Sequence, residues 1–333
     1  MRNIHKPIPP KVSIIIPIYN VEEYIEKCAI SLFQQTLDNL EYIFIDDCTP
    51  DNSIEVINKV LLNYPHRKHQ VKFIHHTKNC GVSTSRQDGI DYATGEYIIQ
   101  CDPDDWVNTD MYEALYNKAI DTKADMVICD YYNVTQNLIV KITQEPEELN
   151  SQSLLNSITG SSKKHLQGAA WNKLIRSTYY KKAKYLDNIN FCENIFILFQ
   201  ILQNENLKIE YLNESLYYYV NDRPGSLVKS INEKAIQGDL KLIKAIISNE
   251  FISDKFIINK LSFITILIMR SLKKDFTNKE YQAIYGNFRN AIKYNVQVPK
   301  VNKIILRIAM NGHFKIARLL HKSLGKIHRR LNS

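Results

Sequence analysis

The stretch Ile98-Ile99-Gln100-Cys101-Asp102-Pro103-Asp104-Asp105-Trp106 reads as a short apolar strand that runs into three carboxylates and stops. Carboxylates are costly to bury and repel one another, so a cluster at a strand end is either solvated or neutralised by a cation. The Asp102-Pro103-Asp104 spacing lets two carboxylates converge on one divalent ion, with the proline stiffening the link. A hard ion such as Mg2+ takes only one or two protein carboxylates and leaves its other positions to water and substrate phosphates. The alternative is an acidic turn capping the helix that follows, since turns favour Asp and Pro in any case.

The flanking sequence alternates. Val12 to Ile16, closed by Pro17, suits a buried parallel strand. Asn20 to Glu23 offers an N-cap residue with Glu three positions on, and apolar spacing carries a helix to about Gln35. Glu41 to Ile45 is a second strand ending in Asp46-Asp47, and a helix follows through Ile54, Ile57 and Val60. Val71 to His76 is a third strand and Gly81 to Tyr92 a third helix. Glu96 to Cys101 is the fourth strand, a helix runs from about Thr109 to Ile120, and Ala124 to Tyr132 is the fifth strand. This pattern predicts an α/β fold with a doubly wound, mostly parallel sheet flanked by helices. Ligands of such sheets bind beyond the carboxyl ends of the strands. Three polar clusters fall there: Pro17-Ile18-Tyr19-Asn20, Asp46-Asp47 and Asp102 to Asp105.

Beyond residue 133 the alternation stops. Residues 133–165 read as a polar, irregular loop with a short helix near 153–158. Gly168 to Leu174 is a compact segment holding Trp171, and helical spacing near 191–202 begins with Cys192-Glu193-Asn194. Residues 210–227 read as a strand pair ending in a loop around Arg223, and from about 230 everything reads as helix: 233–249, 254–273, 278–294 and 301–330. The expected division is an arm over 1–10, a domain over 11–227 whose half 133–227 faces the acceptor, and a helical region over 228–333.

At 44% hydrophobic and 23% charged residues, the 333-residue chain has an ordinary globular composition. Six scattered cysteines with no C-x-x-C pair suit reduced thiols in a cytosol, not a disulfide framework or a zinc site. The N-terminal residues carry no secretory pattern, and the apolar run near 263–269 is too short to span a bilayer. The expectation is a cytoplasmic protein, soluble or peripheral on a membrane. Net charge is +8, and residues 301–333 hold eight Lys/Arg and no acid, so the basicity belongs to one segment. That distribution, without interleaved aromatics, argues against a nucleic-acid partner. Neither a P-loop nor a G-x-G-x-x-G motif occurs. His66, His69, His75 and His76 read as surface or strand-edge residues, not metal ligands. Asp46-Asp47 either cap the next helix or accept a nucleobase N–H. Arg86 is either a surface salt-bridge partner or a cation facing a diphosphate.

The order PIYN (17–20), FIDDCTPDNS (44–53), NCGVSTSRQDG (79–89) and GEYIIQCDPDDW (95–106) resembles the nucleotide-sugar-binding half of the family 2 glycosyltransferases, with the GT-A fold. The likeness continues through WNKL (171–174), CEN (192–194) and YYYVNDRPGSL (217–227) and covers about residues 11–227. It implies a metal-dependent, inverting transfer from a nucleotide-sugar, with a UDP-sugar favoured, to a glycan or lipid-linked acceptor in bacterial surface-glycan synthesis. By the same likeness, Pro17, Ile18 and Tyr19 would line base and ribose, and Asp46 or Asp47 would hold the base. Asp104 would ligate Mn2+ or Mg2+ on the diphosphate, Asp102 would approach the ribose or the metal, and Asp105 would support that shell, with Arg86 helping the diphosphate. Trp171, Asn172, Lys173, Asn194 and Arg223 would stand on the acceptor side.

Three positions depart from the family pattern: Cys48 for glycine, Gln87 for asparagine and, above all, Asn194 for the Asp that serves similar members as base. An amide cannot take a proton. Either the adjacent Glu193 is the base, or the acceptor or substrate arrangement differs, or the chain is a weak or inactive glycosyltransferase-like protein that binds nucleotide-sugars. In the tail, Lys315, Arg318, Lys322, Lys326 and Arg329 fall on one helical face and Ile316, Leu320, Leu324, Ile327 and Leu331 on another. That pattern suits either an in-plane helix on an anionic membrane surface through 301–333 or a last helix packed on its own domain.

Overall fold

The computed structural model describes residues 9–136, 138–221 and 233–331, without the side chains of 233, 234 and 325–331. Arg223 and the loop around it lie outside the described residues, as do residues 1–8 of the arm. The chain forms two compact units, one of residues 1–151 and 169–226, the other of 152–168 and 227–333.

The first unit is built on a mixed sheet. Its strands are β1 (Val12–Ile18), β2 (Leu40–Asp46), β3 (Val71–His75), β4 (Tyr97–Gln100), β5 (Trp106–Val107), β6 (Met126–Val134), β7 (Ile139–Ile142), β8 (Lys173–Arg176) and β9 (Ile209–Val220). Their order is β3-β2-β1-β4-β8-β6-β9-β5, with β7 on β6. The strands β3, β2, β1 and β4 are parallel. The polar ends of β1 and β2 are brought side by side by a register that pairs Ile18 with Asp46. Helices α1 (Glu22–Phe33), α2 (Ser53–Leu61), α3 (Val82–Tyr92) and α4 (Met111–Thr122) connect these strands. Strands β1 and β2 are buried on both faces, which is why they read as unbroken apolar runs.

Some local features differ from the sequence reading. The fifth predicted strand, β6, does not join β4: the short β8 inserts between them, antiparallel to both. Residues 210–220 form one long strand with register shifts opposite Asp130, not a pair. The stretch 133–165 is less irregular than expected, since β7 pairs with the end of β6 and α5 (Ser151–Thr159) follows. Asn20 does not cap α1. It takes a left-handed turn at φ 53°, and the helix start is served across the chain instead. The Glu22 N–H donates to Asp51 at 2.8 Å and the Val21 N–H to Ser53 at 3.3 Å. The two loops that follow β1 and β2 are thereby tied together, which local sequence cannot reveal.

Helix α3 lies close on the sheet because it carries Gly89. A Cβ there would meet Ile15 Cγ2 at 2.5 Å and Ile45 Cδ1 at 2.9 Å. The unit is completed by α6 (Ser177–Tyr180) and α7 (Glu193–Leu202).

The second unit is helical: α8 (Glu233–Ile247), α9 (Ile257–Ser271), α10 (Asn278–Tyr285), α11 (Lys300–Ile308) and α12 (Phe314–Leu331), with most of α5. The insert 152–168 belongs here through polar contacts. Gln297 Nε2 donates to the carbonyls of Ser157, Ser162 and Lys164 at 2.8, 3.1 and 3.0 Å. Helix α10 starts with a capping box between Thr277 and Glu280. The predicted last helix is two, α11 and α12, separated at Gly312 with φ 89°. Among the described residues no helix is long and apolar enough to cross a membrane.

Candidate functional site

The carboxyl edge of β1, β2 and β4 gathers the polar clusters. Pro17 and Ile18 are buried in β1, and Tyr19 just beyond them is 46% exposed. At the end of β2, Asp46 accepts the Thr49 N–H at 2.8 Å and lies 3.0 Å from His75 Nδ1. Asp47 is buried and accepts the N–H groups of Cys80 and Gly81 at 2.7 and 2.8 Å, which fixes the turn into α3. His76 spans Asp47 and Asp88 at 2.8 and 2.9 Å through its two ring nitrogens. The sequence reading of a surface or edge residue therefore holds poorly for His76, whose side chain is 10% exposed and is built into the Asp47 anchor. Donor atoms of Asp47, His76 and Cys80 come within 4.8 Å of one another, a grouping that these hydrogen bonds account for.

Helix α3 then delivers Arg86. Its guanidinium is 4% exposed and forms one bridge to Asp102 Oδ1 at 2.7 Å and another to Glu193 Oε1. Burial alone would lower the Arg86 pKa, but the Asp102 and Glu193 carboxylates outweigh it and push it up. Three residues distant in sequence thus converge: the end of β4, α3 and the first turn of α7. Arg86 is thus an ion-pair partner, but a buried one and not the surface partner that its sequence alternative expected.

The turn Asp102 to Asp105 is clamped from the far end of the sheet. Tyr217 Oη accepts the Asp102 N–H at 3.0 Å and donates to Asp105 Oδ2 at 2.7 Å, while the Val220 N–H donates to Asp105 Oδ1 at 2.8 Å. Strand β5 follows the turn and pairs Trp106 and Val107 with Tyr218 and Tyr217. Burial, with the nearby charges of Asp104 and Asp102, pushes the Asp105 pKa well up. Asp104, half-buried, and Asp105 line a cavity of about 330 Å³ with Glu23, Tyr24, Lys27 and Trp106. Lys27 stands over the Trp106 ring, 3.0 Å from its centroid.

The residues expected beside the acceptor divide in two. Asn194, at the start of α7, accepts from Tyr185 Oη at 2.6 Å. Tyr185 in turn accepts from Gln100 Nε2 at 2.7 Å, which also donates to Tyr180 Oη at 2.6 Å. Trp171, Asn172 and Lys173, by contrast, are at most 2% exposed and present no surface to a ligand. Trp171 stacks on Tyr217 at 4.2 Å, Asn172 Nδ2 donates to the Cys129 carbonyl at 2.9 Å, and Lys173 Nζ donates to Ala169 O and Asn172 Oδ1 at 2.8 and 2.7 Å. Trp171 thereby backs Tyr217 and, through it, the acidic turn. Burial pushes the Lys173 amine down to about 7, against a smaller opposing effect of Cys129.

Sequence reasoning missed Tyr217, Tyr185, Gln100 and Lys27. The period-two run Tyr217-Tyr218-Tyr219 was a signal of alternating faces, but nothing local tied Tyr217 to Asp105. The side chains present suit a divalent ion: Asp102 and Asp104 are hard oxygen donors at a partly open turn, and both oxygens of Asp105 are already engaged.

A family model described as glycosyl transferase family 2 matches residues 13–203. The chain is 34% identical over 229 residues to the uncharacterized glycosyltransferase EpsJ of Bacillus subtilis. That match covers 66% of this chain and 63% of EpsJ, so the chain spans just under two thirds of that relative. The structure of Staphylococcus aureus TarS 1-349 in complex with UDP-GlcNAc is similar at a TM-score of 0.69 and 18% identity, over 95% of this chain and 92% of that one. The mannosyltransferase PcManGT of Pyrobaculum calidifontis, in complex with GDP-Man and Mn2+, gives a TM-score of 0.51 at 13% identity, over 92% and 87%. The fold is GT-A, with C-terminal helices.

Two outcomes test this geometry. Arg86→Leu leaves two carboxylates facing one another without their cation and is expected to cost about 3 kcal/mol in urea unfolding. Adding Glu193→Leu recovers part of that loss; an Arg86→Leu loss below about 1 kcal/mol would mean the bridge is not holding the site. Lys173 has a folded pKa of about 7, below the ordinary 10.5, so between these values the unfolded chain binds more protons. Its contribution to stability therefore rises with pH across that window and is flat below it. Lys173→Met should flatten the rise of melting temperature with pH over the same window.

Proposed function

The chain belongs to the family 2 glycosyl transferases, and from that premise we propose that it transfers a sugar from a UDP-sugar to a hydroxyl of a glycan or lipid-linked glycan, with inversion, in bacterial surface-glycan synthesis. The observation that carries this reading is the buried Arg86 guanidinium held between Asp102 and Glu193 at the carboxyl edge of the sheet. It supplies fixed positive charge where a departing diphosphate develops negative charge. The UDP-GlcNAc complex of TarS supports the choice of donor, and the Mn2+ complex of PcManGT supports a metal. Asp104 and Asp102 would hold Mn2+ or Mg2+, and a bound ion would act there as a Lewis acid toward the leaving diphosphate.

The chain's own groups do the rest. Tyr19 flanks the base from beyond β1, with Pro17 and Ile18 shaping that end of the strand. Asp46 or Asp47 accepts the base N–H. Asp105 keeps the acidic turn in place through Tyr217 and Val220. Glu193 takes the proton of the acceptor hydroxyl, because the amide of Asn194 cannot. Trp171, Asn172 and Lys173 touch no ligand themselves, Trp171 acting by its packing behind Tyr217 and the acidic turn, and Arg223 is assigned to the acceptor side. A lipid-linked acceptor would bring the protein to the cytoplasmic face of the membrane.

A second reading, a nucleotide-sugar-binding protein without turnover, is favoured by the fixed Tyr185 to Asn194 hydrogen bond. Nucleotide thermal shifts with and without Mn2+, run beside transfer assays on donor and acceptor panels, separate the two. A metal-dependent UDP shift with turnover is expected. Asp104→Ala should lower turnover at least about a hundredfold, and full activity in that variant would sink the metal assignment. A UDP shift without turnover, gained only in Asn194→Asp, would establish the second reading.

A further inference from the structure

The two C-terminal helices carry a surface that the transfer reaction does not use. Helix α12 buries Phe314 and Ala317 and packs Phe314 against Tyr281, with ring centroids 4.4 Å apart. About 100° of rotation per residue then turns Ile316, Leu319 and Leu320 outward. In α11 the buried side is Ile305 and Leu306, and Val301 and Ile304 face out. These five outward side chains are between 44% and 66% exposed.

Of the apolar stripe predicted on the tail, Ile316 and Leu320 do not pack, Leu324 is half-buried, and the side chains of Ile327 and Leu331 lie outside the described residues. Leu320 and Ile316 belong to the solvent face, joined by Leu319, while Phe314 and Ala317 hold the helix down. An ordinary packed last helix would show the opposite arrangement. The charges around the outward residues share one sign: Lys300, Lys303 and Arg307 on α11, and Lys315 and Lys322 on α12, with no Asp or Glu anywhere from 300 to 333. Arg318 is set apart, paired with Asp275.

We propose that the outer faces of α11 and α12 dock on an anionic lipid bilayer, with Ile304, Ile316, Leu319 and Leu320 entering the headgroup boundary and the flanking lysines meeting lipid phosphate. Exposed apolar side chains ringed by cations gain from both burial and surface potential at such an interface, about 1 kcal/mol for each nearby basic side chain. A neutral protein partner would leave these charges uncompensated, and an identical copy would set like charges against like. The proposal deepens the reading of a lipid-linked acceptor, but the surface itself stands without it.

The test is flotation of the full chain with vesicles of phosphatidylcholine alone or with added phosphatidylglycerol. Binding is expected only with the anionic lipid and should fall at about 1 M salt, where the Debye length is about 3 Å. The variant Ile316→Glu/Leu319→Glu should bind roughly tenfold less, with melting temperature and the UDP shift unchanged. Wild-type chain that stays with the solution, a variant that floats equally well, or self-association without flotation would each overturn the docking surface. A missing UDP shift in a chain that still floats would count against the transfer reading alone.

Discussion

The site depends on burying one guanidinium. Taking the Arg86 charge out of water costs several kcal/mol, and a single surface-type ion pair would not offset it. Two carboxylates, brought from the end of β4 and the start of α7, do so jointly. The positions of β4, α3 and α7 are consequently coupled, because displacement of any one leaves a charge unpaired in a dry place. The same chain of dependence runs back to the second strand. Asp47 binds the N–H groups that open α3, Gly89 lets that helix settle onto Ile15 and Ile45, and only then does Arg86 reach both partners.

A second support meets the acidic turn from the opposite side. Three adjacent carboxylates in a turn would splay apart by repulsion unless something fixed them. Here Asp105 is withdrawn from the ligand edge by Tyr217 and Val220, and Tyr217 is held by the Trp171 ring stacked 4.2 Å away. This leaves Asp102 and Asp104 toward the edge, one against Arg86 and the other against the cavity. The buried WNK segment earns its place by packing, and burial lowers the pKa of Lys173 to about 7.

Much of this was legible because strand ends and ligand edges follow from alternation. Asp46, Asp47 and Asp102 to Asp105 could be placed at one edge from the pattern of apolar runs alone, since parallel strands buried on both faces leave no other reading. Pairings between distant segments were not legible. The insertion of β8 between β4 and β6 rests on only a few residues of pairing, too short to carry a periodic signal. The cap of α1 comes from Asp51 and Ser53, thirty or so positions away, so the local Asn20 signal pointed to the wrong donor. Exposure was equally hidden on the tail: helical spacing separates cations from apolar residues, but only packing of Phe314 and Ala317 decides which apolar residues face out.

The amide at 194 becomes intelligible through charge. Around Arg86 stand two carboxylates, Asp102 and Glu193, for one cation. An acid at 194 would add a third negative group beside the same buried cluster, whereas the amide accepts the Tyr185 hydroxyl without adding charge. The first turn of α7 favours one carboxylate through its dipole, and Glu193 already fills that role. A base at Glu193 must then act from inside an ion pair with the cation assigned to the leaving diphosphate. The proton-accepting side and the leaving-group side of the site would thus be a single electrostatic unit joined at Arg86, so that whatever changes the charge on one side changes the basicity on the other.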